Sequence, residues 1–213
     1  MFRPWLDDSG RRELADAVSY IESVSAVEII VFVRRRARSW AHVGIATGLI
    51  AAWVTLAFML FSAPVFPLWS FLVDPFVIGA VAGWAGHRSL APIRWLTPAA
   101  TRRAAVDRAA GAVFVDKRVH ATRGRTGVLV YCALAERMTA IVADTGVAAA
   151  LAPERLDAWR DQIERAIDAG APATASAIAA MAPVFAAAVP RMADDVNELA
   201  DAVEQDVEGS IVA

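Results

Sequence analysis

Apolar residues recur at helical spacing near the start of the chain, where Leu14, Val18 and Ile21 share a segment with Arg11, Arg12, Glu13 and Asp16. This pattern predicts an amphipathic helix from about Ser9 to Val24. Val27 to Val33 is apolar at nearly every position and reads as a strand. From Ala41 to Val73 there is no Asp, Glu, Lys or Arg, a run too long for one helix crossing about 30 Å of hydrocarbon. Ser62, Ala63, Pro64 and Pro67 mark a turn within it, so two spans are predicted, near Val43 to Phe61 and Phe66 to Gly86. Helical spacing returns over Pro98 to Val115. Gly127 to Leu134 is a continuous apolar run of strand length, and Ala135, Glu136 and Arg137 separate it from a second run, Met138 to Ala143, as an antiparallel hairpin would require. Further on, Pro153 suits a first helical position, Leu156, Trp159, Ile163 and Ile167 make one apolar face, and Gly170 closes the element. Ala171 to Pro190 is also uncharged and is a candidate third span. Its residues are mostly alanine, Pro172 and Pro183 interrupt it, and Ile178, Met181 and Phe185 trace one face, which favours a core helix.

These elements predict an α/β fold. Strand, helix and strand make a parallel, right-handed β-α-β unit whose crossover carries an inserted two-helix transmembrane hairpin. The expected organisation is residues 1–38 as the first helix and strand, 39–96 as the hairpin, 97–190 as the remainder of the domain, and 191–213 as an acidic tail covering little core.

Charge sets the expected orientation. Arg34, Arg35, Arg36 and Arg38 precede the first span, and Arg88, Arg94, Arg102 and Arg103 follow the second. Basic flanks stay cytoplasmic, so both termini and the soluble parts are expected on the cytoplasmic side of the cell inner membrane, with the lipid bilayer as one partner. Trp40 and Trp95 fit an interfacial belt at that face. The competing reading of the arginines is recognition of nucleic acid or anionic lipid, but the net charge of -2 supplies no global basic field, and nucleic acid is not an expected partner. The charged first 25 residues lack the apolar core of a cleavable signal peptide. Gly44 with Gly48, and Gly79 with Gly83, are small pairs four apart that would pack helices inside the hairpin or between copies of the chain, unless they reflect only the abundance of glycine in membrane helices. Asp74, followed by Pro75, reads as a helix start near the outer interface rather than as part of an ion pathway.

Candidate chemistry is sparse. Cys132 is the single cysteine and lies in an apolar strand, where a thiol behaves as a small hydrophobe. His42, His87 and His120 are scattered without metal-ligand spacing, and no phosphate loop or serine elbow is present. The remaining candidates for a cation site are Glu28, Glu136 and Asp144, carboxylates at strand ends that would converge on one sheet edge. The alternative places Glu136 with Arg137, and Asp144 with Thr145 and Gly146, in ordinary turns.

Four stretches, Val27 to Val33, Thr126-Gly127-Val128-Leu129-Val130-Tyr131, Glu136-Arg137 and Ile141-Val142-Ala143-Asp144, resemble in this order the TPM domain family of thylakoid, photosystem-repair and related membrane proteins. Asp194 to Leu199 is similar to the end of that family's bacterial membrane-anchored branch. The resemblance implies a three-layer α/β/α domain with a small mixed sheet. It also implies two kinds of activity: a non-catalytic accessory module for assembly or quality control that binds a membrane or cytoplasmic protein, or a metal-dependent acid phosphatase. Soluble relatives carry an Asp-Asn pair that supplies oxygen ligands for calcium; this chain has Arg125-Thr126 in its place.

Overall fold

Asp7 opens the first helix of the computed structural model, which describes residues 5–89, 91–191 and 203–206. In chain order the elements are α1 (Asp8–Val24), β1 (Glu28–Arg34), α2 (Ala41–Phe61), α3 (Leu68–Arg88), α4 (Ala91–Leu96), α5 (Ala99–Asp116), β2 (Gly127–Ala133), β3 (Met138–Ala143), α6 (Thr145–Ala150), α7 (Pro153–Ile167), α8 (Ala171–Ala179), α9 (Ala182–Ala188) and β4 (Val203–Asp206). They form two units: residues 1–37 with 104–213, and residues 38–103.

The first unit is mixed α/β. β1 and β2 pair in parallel, from Glu28 opposite Gly127 to Arg34 opposite Ala133, and β2 turns back antiparallel into β3. The sheet order is β3-β2-β1-β4. Alternate strand residues divide between two cores, because successive side chains point to opposite faces. Ile29, Val31, Val33, Val128 and Val130 pack with Leu14, Val18 and Ile21 of α1, Trp159, Ile163 and Ile167 of α7, and Ile178 and Phe185 of α8 and α9. Ile30, Phe32, Leu129 and Tyr131 pack on the other face with Val106, Ala110 and Val113 of α5. Helices therefore cover both faces of the sheet.

Local chemistry sets the element ends. The Asp7 carboxylate accepts the Gly10 N–H at 2.8 Å, capping α1. α7 begins with Pro153 and stops before Gly170, whose φ of 103° suits glycine and separates it from α8. Trp159 anchors the two elements together, its indole N–H donating to the Ala177 carbonyl at 2.9 Å.

The second unit holds α2 and α3 as a packed antiparallel pair. Gly44 and Gly48 face Gly83 and Gly79: a Cβ added at Gly48 would lie 2.7 Å from the Gly79 oxygen, and one at Gly44 would lie 3.0 Å from the Gly83 oxygen. Glycine lets the backbones approach this closely. Outside this seam the two helices expose Trp53, Phe58, Trp69, Leu72, Phe76, Val81 and Trp84.

Three helical stretches, Ala41–Phe61, Leu68–Arg88 and Ala171–Ala188, have the length and composition to cross a membrane. They differ in burial: 22% and 17% of the first two are buried, against 44% of the third. The third is also broken between α8 and α9, just before Pro183.

Three sequence expectations are corrected. Asp74 does not start a helix: Pro67 does, its extended backbone breaking the chain and its carbonyl accepting the Ser70 N–H at 3.0 Å, so Asp74 and Pro75 lie inside α3. Pro75 lacks the N–H for the helical bond to Phe71, and its ring crowds the Phe71 carbonyl. Trp40 is buried, with the Arg38 guanidinium 5.1 Å from its ring centroid, whereas Trp95 is exposed. The tail contributes β4, which runs parallel to β1 from Val31 opposite Val203 to Arg34 opposite Asp206. The Asp194 to Leu199 motif lies outside the described residues.

Candidate functional site

Gly127 begins β2 hard against the preceding turn, where a Cβ would fall 2.0 Å from the Val119 carbonyl oxygen. The antiparallel register of β2 with β3 sets the start of β2 beside the end of β3, so that the Asp144 N–H donates to the Gly127 oxygen at 2.9 Å. Asp144 caps α6, with its Oδ1 accepting the Thr145 N–H at 2.7 Å. Its Oδ2 pairs with Arg125 Nε at 3.1 Å. Arg125 adopts φ 53°, and from that left-handed turn its Nη1 also donates to the His120 carbonyl at 3.2 Å. The buried Asp144 carboxylate is thus held by an amide on one oxygen and a guanidinium on the other. A cation already stands beside it, and it belongs to the chain. Glu28 begins β1 at this same sheet end, opposite Gly127.

Glu136 lies at the opposite end, buried in the turn after β2. Its Oε1 accepts the Ala37 N–H at 3.1 Å, and the Leu134 and Ala135 amides donate to the Arg34 and Arg35 carbonyls at 3.0 Å. The chain leaving β1 is therefore stitched to the β2–β3 turn. Burial and the neighbouring Arg35 charge lower the Arg36 pKa below its ordinary value, and the negative charge of Glu136 opposes that shift.

The three carboxylates do not converge. Glu28 starts β1 and Asp144 follows β3, while Glu136 follows β2, and a seven-residue strand separates the two ends by about 20 Å. One ion with ligand distances of about 2.5 Å cannot reach both ends. Among the described residues, no three His, Cys, Asp or Glu side chains are grouped to hold a metal ion. Cys132 is fully buried, and desolvation pushes its thiol up to about 12, so it is a poor nucleophile at neutral pH.

The topology-setting arginines take separate positions. Arg34 ends β1 and Arg35 and Arg36 continue the chain, Arg94 lies in α4, and Arg88 ends α3 with its guanidinium 4.5 Å from the Trp84 ring centroid.

A feature that residue spacing did not disclose lies along β3, where a groove of about 210 Å³ is lined by Asp107, Ala140, Ile141, Val142, Leu156, Asp157 and Arg160. Its walls come from α5 and α7, so it exists only once helices cover both faces of the sheet.

No family model matches the chain, and no curated protein matches it. A solved structure similar in fold is the NMR structure of the BA42 protein from the psychrophilic bacterium Bizionia argentinensis, 15% identical, with 97% of this chain and 99% of that chain covered and a TM-score of 0.58. At that identity the likeness shows the fold alone: a mixed α/β architecture shared with a bacterial protein.

Proposed function

We propose that α2 and α3 form a two-span membrane hairpin and that the α/β unit is a TPM-type accessory module holding a protein partner at the cytoplasmic face of the inner membrane. The observation that carries the reading is the division of apolar surface between the helices. α2 and α3 use small residues against each other and leave large apolar side chains outside, with Trp53 70% and Phe76 72% exposed. Leaving such a side chain in water forgoes about 1.5–3 kcal/mol each, which hydrocarbon would recover. Ala171–Ala188 does the reverse, turning Ile178, Met181 and Phe185 into the core of the α/β unit, and is read as a soluble element.

The motif residues are engaged within the fold. Gly127 permits a close turn, Glu136 holds the Ala37 amide, and Asp144 caps a helix and pairs with Arg125. Each serves the fold.

Topology is tested by reporter fusions after Arg38 and at the C-terminus, which should both report the cytoplasm; opposite signals would require an odd number of spans. The role is tested by cross-linking and pull-down from native membranes, with a defined protein partner expected. Metal-dependent turnover of a phosphomonoester by the purified chain, abolished by Asp144→Ala, would replace the accessory reading with the phosphatase one.

A further inference from the structure

The two sides of the sheet are finished differently. β4 lies beside β1, whereas β3 is the outer strand at the other side, and among the described residues no strand pairs with its outward edge. The antiparallel register fixes which groups face out. Asp144 donates to Gly127, and the pairs Val142 with Leu129, Ala140 with Tyr131 and Met138 with Ala133 continue in the same phase. Hydrogen-bonded and non-hydrogen-bonded pairs alternate along such a ladder, so Thr139, Ile141 and Ala143 direct their N–H and C=O groups outward. The Thr139 N–H is taken by Glu164 Oε1 at 2.8 Å, which closes one end of the edge. Beyond it, Ile141, Val142 and Ala143 are half-buried, and the groove between α5 and α7 opens beside them.

The groove has a sign. Asp107 and Asp157 stand on its walls against the single guanidinium of Arg160, and that guanidinium is already held by Asp157 at 2.6 Å and by Asp161 at 3.0 Å. Arg160 offsets Asp157 in the same ion pair, so the lining keeps one net negative charge, on the side of Asp107. A second copy of the chain paired edge to edge would bring this charge toward its own equivalent, a like-charge juxtaposition that disfavours self-association here.

We infer that the outer edge of β3 is a strand-addition site that takes an extended segment of a partner protein carrying a Lys or Arg toward Asp107, on the wall opposite the Asp157–Arg160 pair. Main-chain bonds to Ile141 and Ala143 supply the affinity, and Asp107 selects the basic side chain. This names the docking site within the partner-holding reading and rests on it.

The test uses the full chain in nanodiscs and short acetylated peptides alternating Val or Thr with Lys, with Glu replacing Lys in the control. Lys peptides should bind and slow amide hydrogen exchange at Ile141 and Ala143. Ile141→Pro removes an outward donor at a position where an edge tolerates proline, and should weaken binding about tenfold, the worth of about one or two net hydrogen bonds. Asp107→Lys with Asp157→Lys leaves the backbone edge intact and should invert the preference toward the Glu peptide, which keeps the test decisive if the proline variant misfolds. Equal binding of both peptides, or unchanged exchange at Ile141 and Ala143, would overturn the site. Photo-cross-linking from Val142 in native membranes separates the two claims. Partner cross-links formed only from other surfaces would keep the partner-holding reading and overturn the edge. Lys-peptide binding at the edge with no partner captured from any surface would support the edge and reject that reading.

Discussion

Asp144 and Arg125 form an ion pair at one end of the sheet: a buried carboxylate whose neighbouring cation is covalently part of the chain. Two contributions separate under substitution. Asp144→Asn retains an acceptor for the Thr145 N–H and loses the ion pair, which has one half-exposed partner and contributes no more than about 1 kcal/mol. Asp144→Ala loses the cap as well and should cost about 1–3 kcal/mol, a fall in Tm of several degrees for a chain of this size, measurable by circular dichroism. Added calcium should leave the wild-type Tm unchanged, because a divalent ion would have to displace the guanidinium and find further ligands. A calcium-dependent rise in Tm would show that Glu28 and Asp144 form a metal site after all.

At the scale of elements, α2 and α3 depend on their glycine seam. Gly48→Leu places a Cβ where the Gly79 backbone oxygen stands 2.7 Å away, and overpacking of this kind costs about 1–3 kcal/mol. Cysteines introduced at Thr47 and Gly86, which touch across the pair, should form a disulfide in otherwise native chain, and Gly48→Leu should sharply lower its yield. Leu72→Ala, on the exposed surface, should not. Residue periodicity disclosed most of the elements: Leu14, Val18 and Ile21 announced α1, and the apolar runs announced β1, β2 and β3 within a residue or two. Periodicity had no hold on β4, whose Val203-Glu204-Gln205-Asp206 is short and polar and becomes a strand through the edge it meets. The Asp74-Pro75 pair carried a valid local signal that lost to the earlier break at Pro67. The role of Arg125 was hidden for another reason: its reach to Asp144 depends on a left-handed backbone turn, and on a sheet register that juxtaposes residues far apart in sequence.

For the whole molecule, β1, like β2, contributes to both cores and to two strand pairings, so the α/β unit cannot dispense with it. Replacing residues 41–88 with a short flexible linker should leave a soluble unit that unfolds cooperatively in urea, since closure entropy changes slowly with loop length and the ends of the antiparallel helix pair lie close together. A fragment beginning at Pro98 lacks α1 and β1, exposes the side of β2 that β1 covers, and should aggregate or remain molten. Cooperative unfolding of that fragment with native-like stability would show that the two halves are separate structures.

The parallel pairing of β1 with β2 also bears on how the protein is made. β1 leaves the ribosome well before its partner, with both apolar helices synthesised in between. On the two-span reading, the sheet closes only if the chain crosses the bilayer and returns. A single failed crossing would strand β1 and β2 in different compartments, each with an unsatisfied edge and a face open to proteases. On that reading, the hydrogen-bond ladder from Glu28 to Arg34 would form only in chains whose β1 and β2 emerge on the same side of the bilayer.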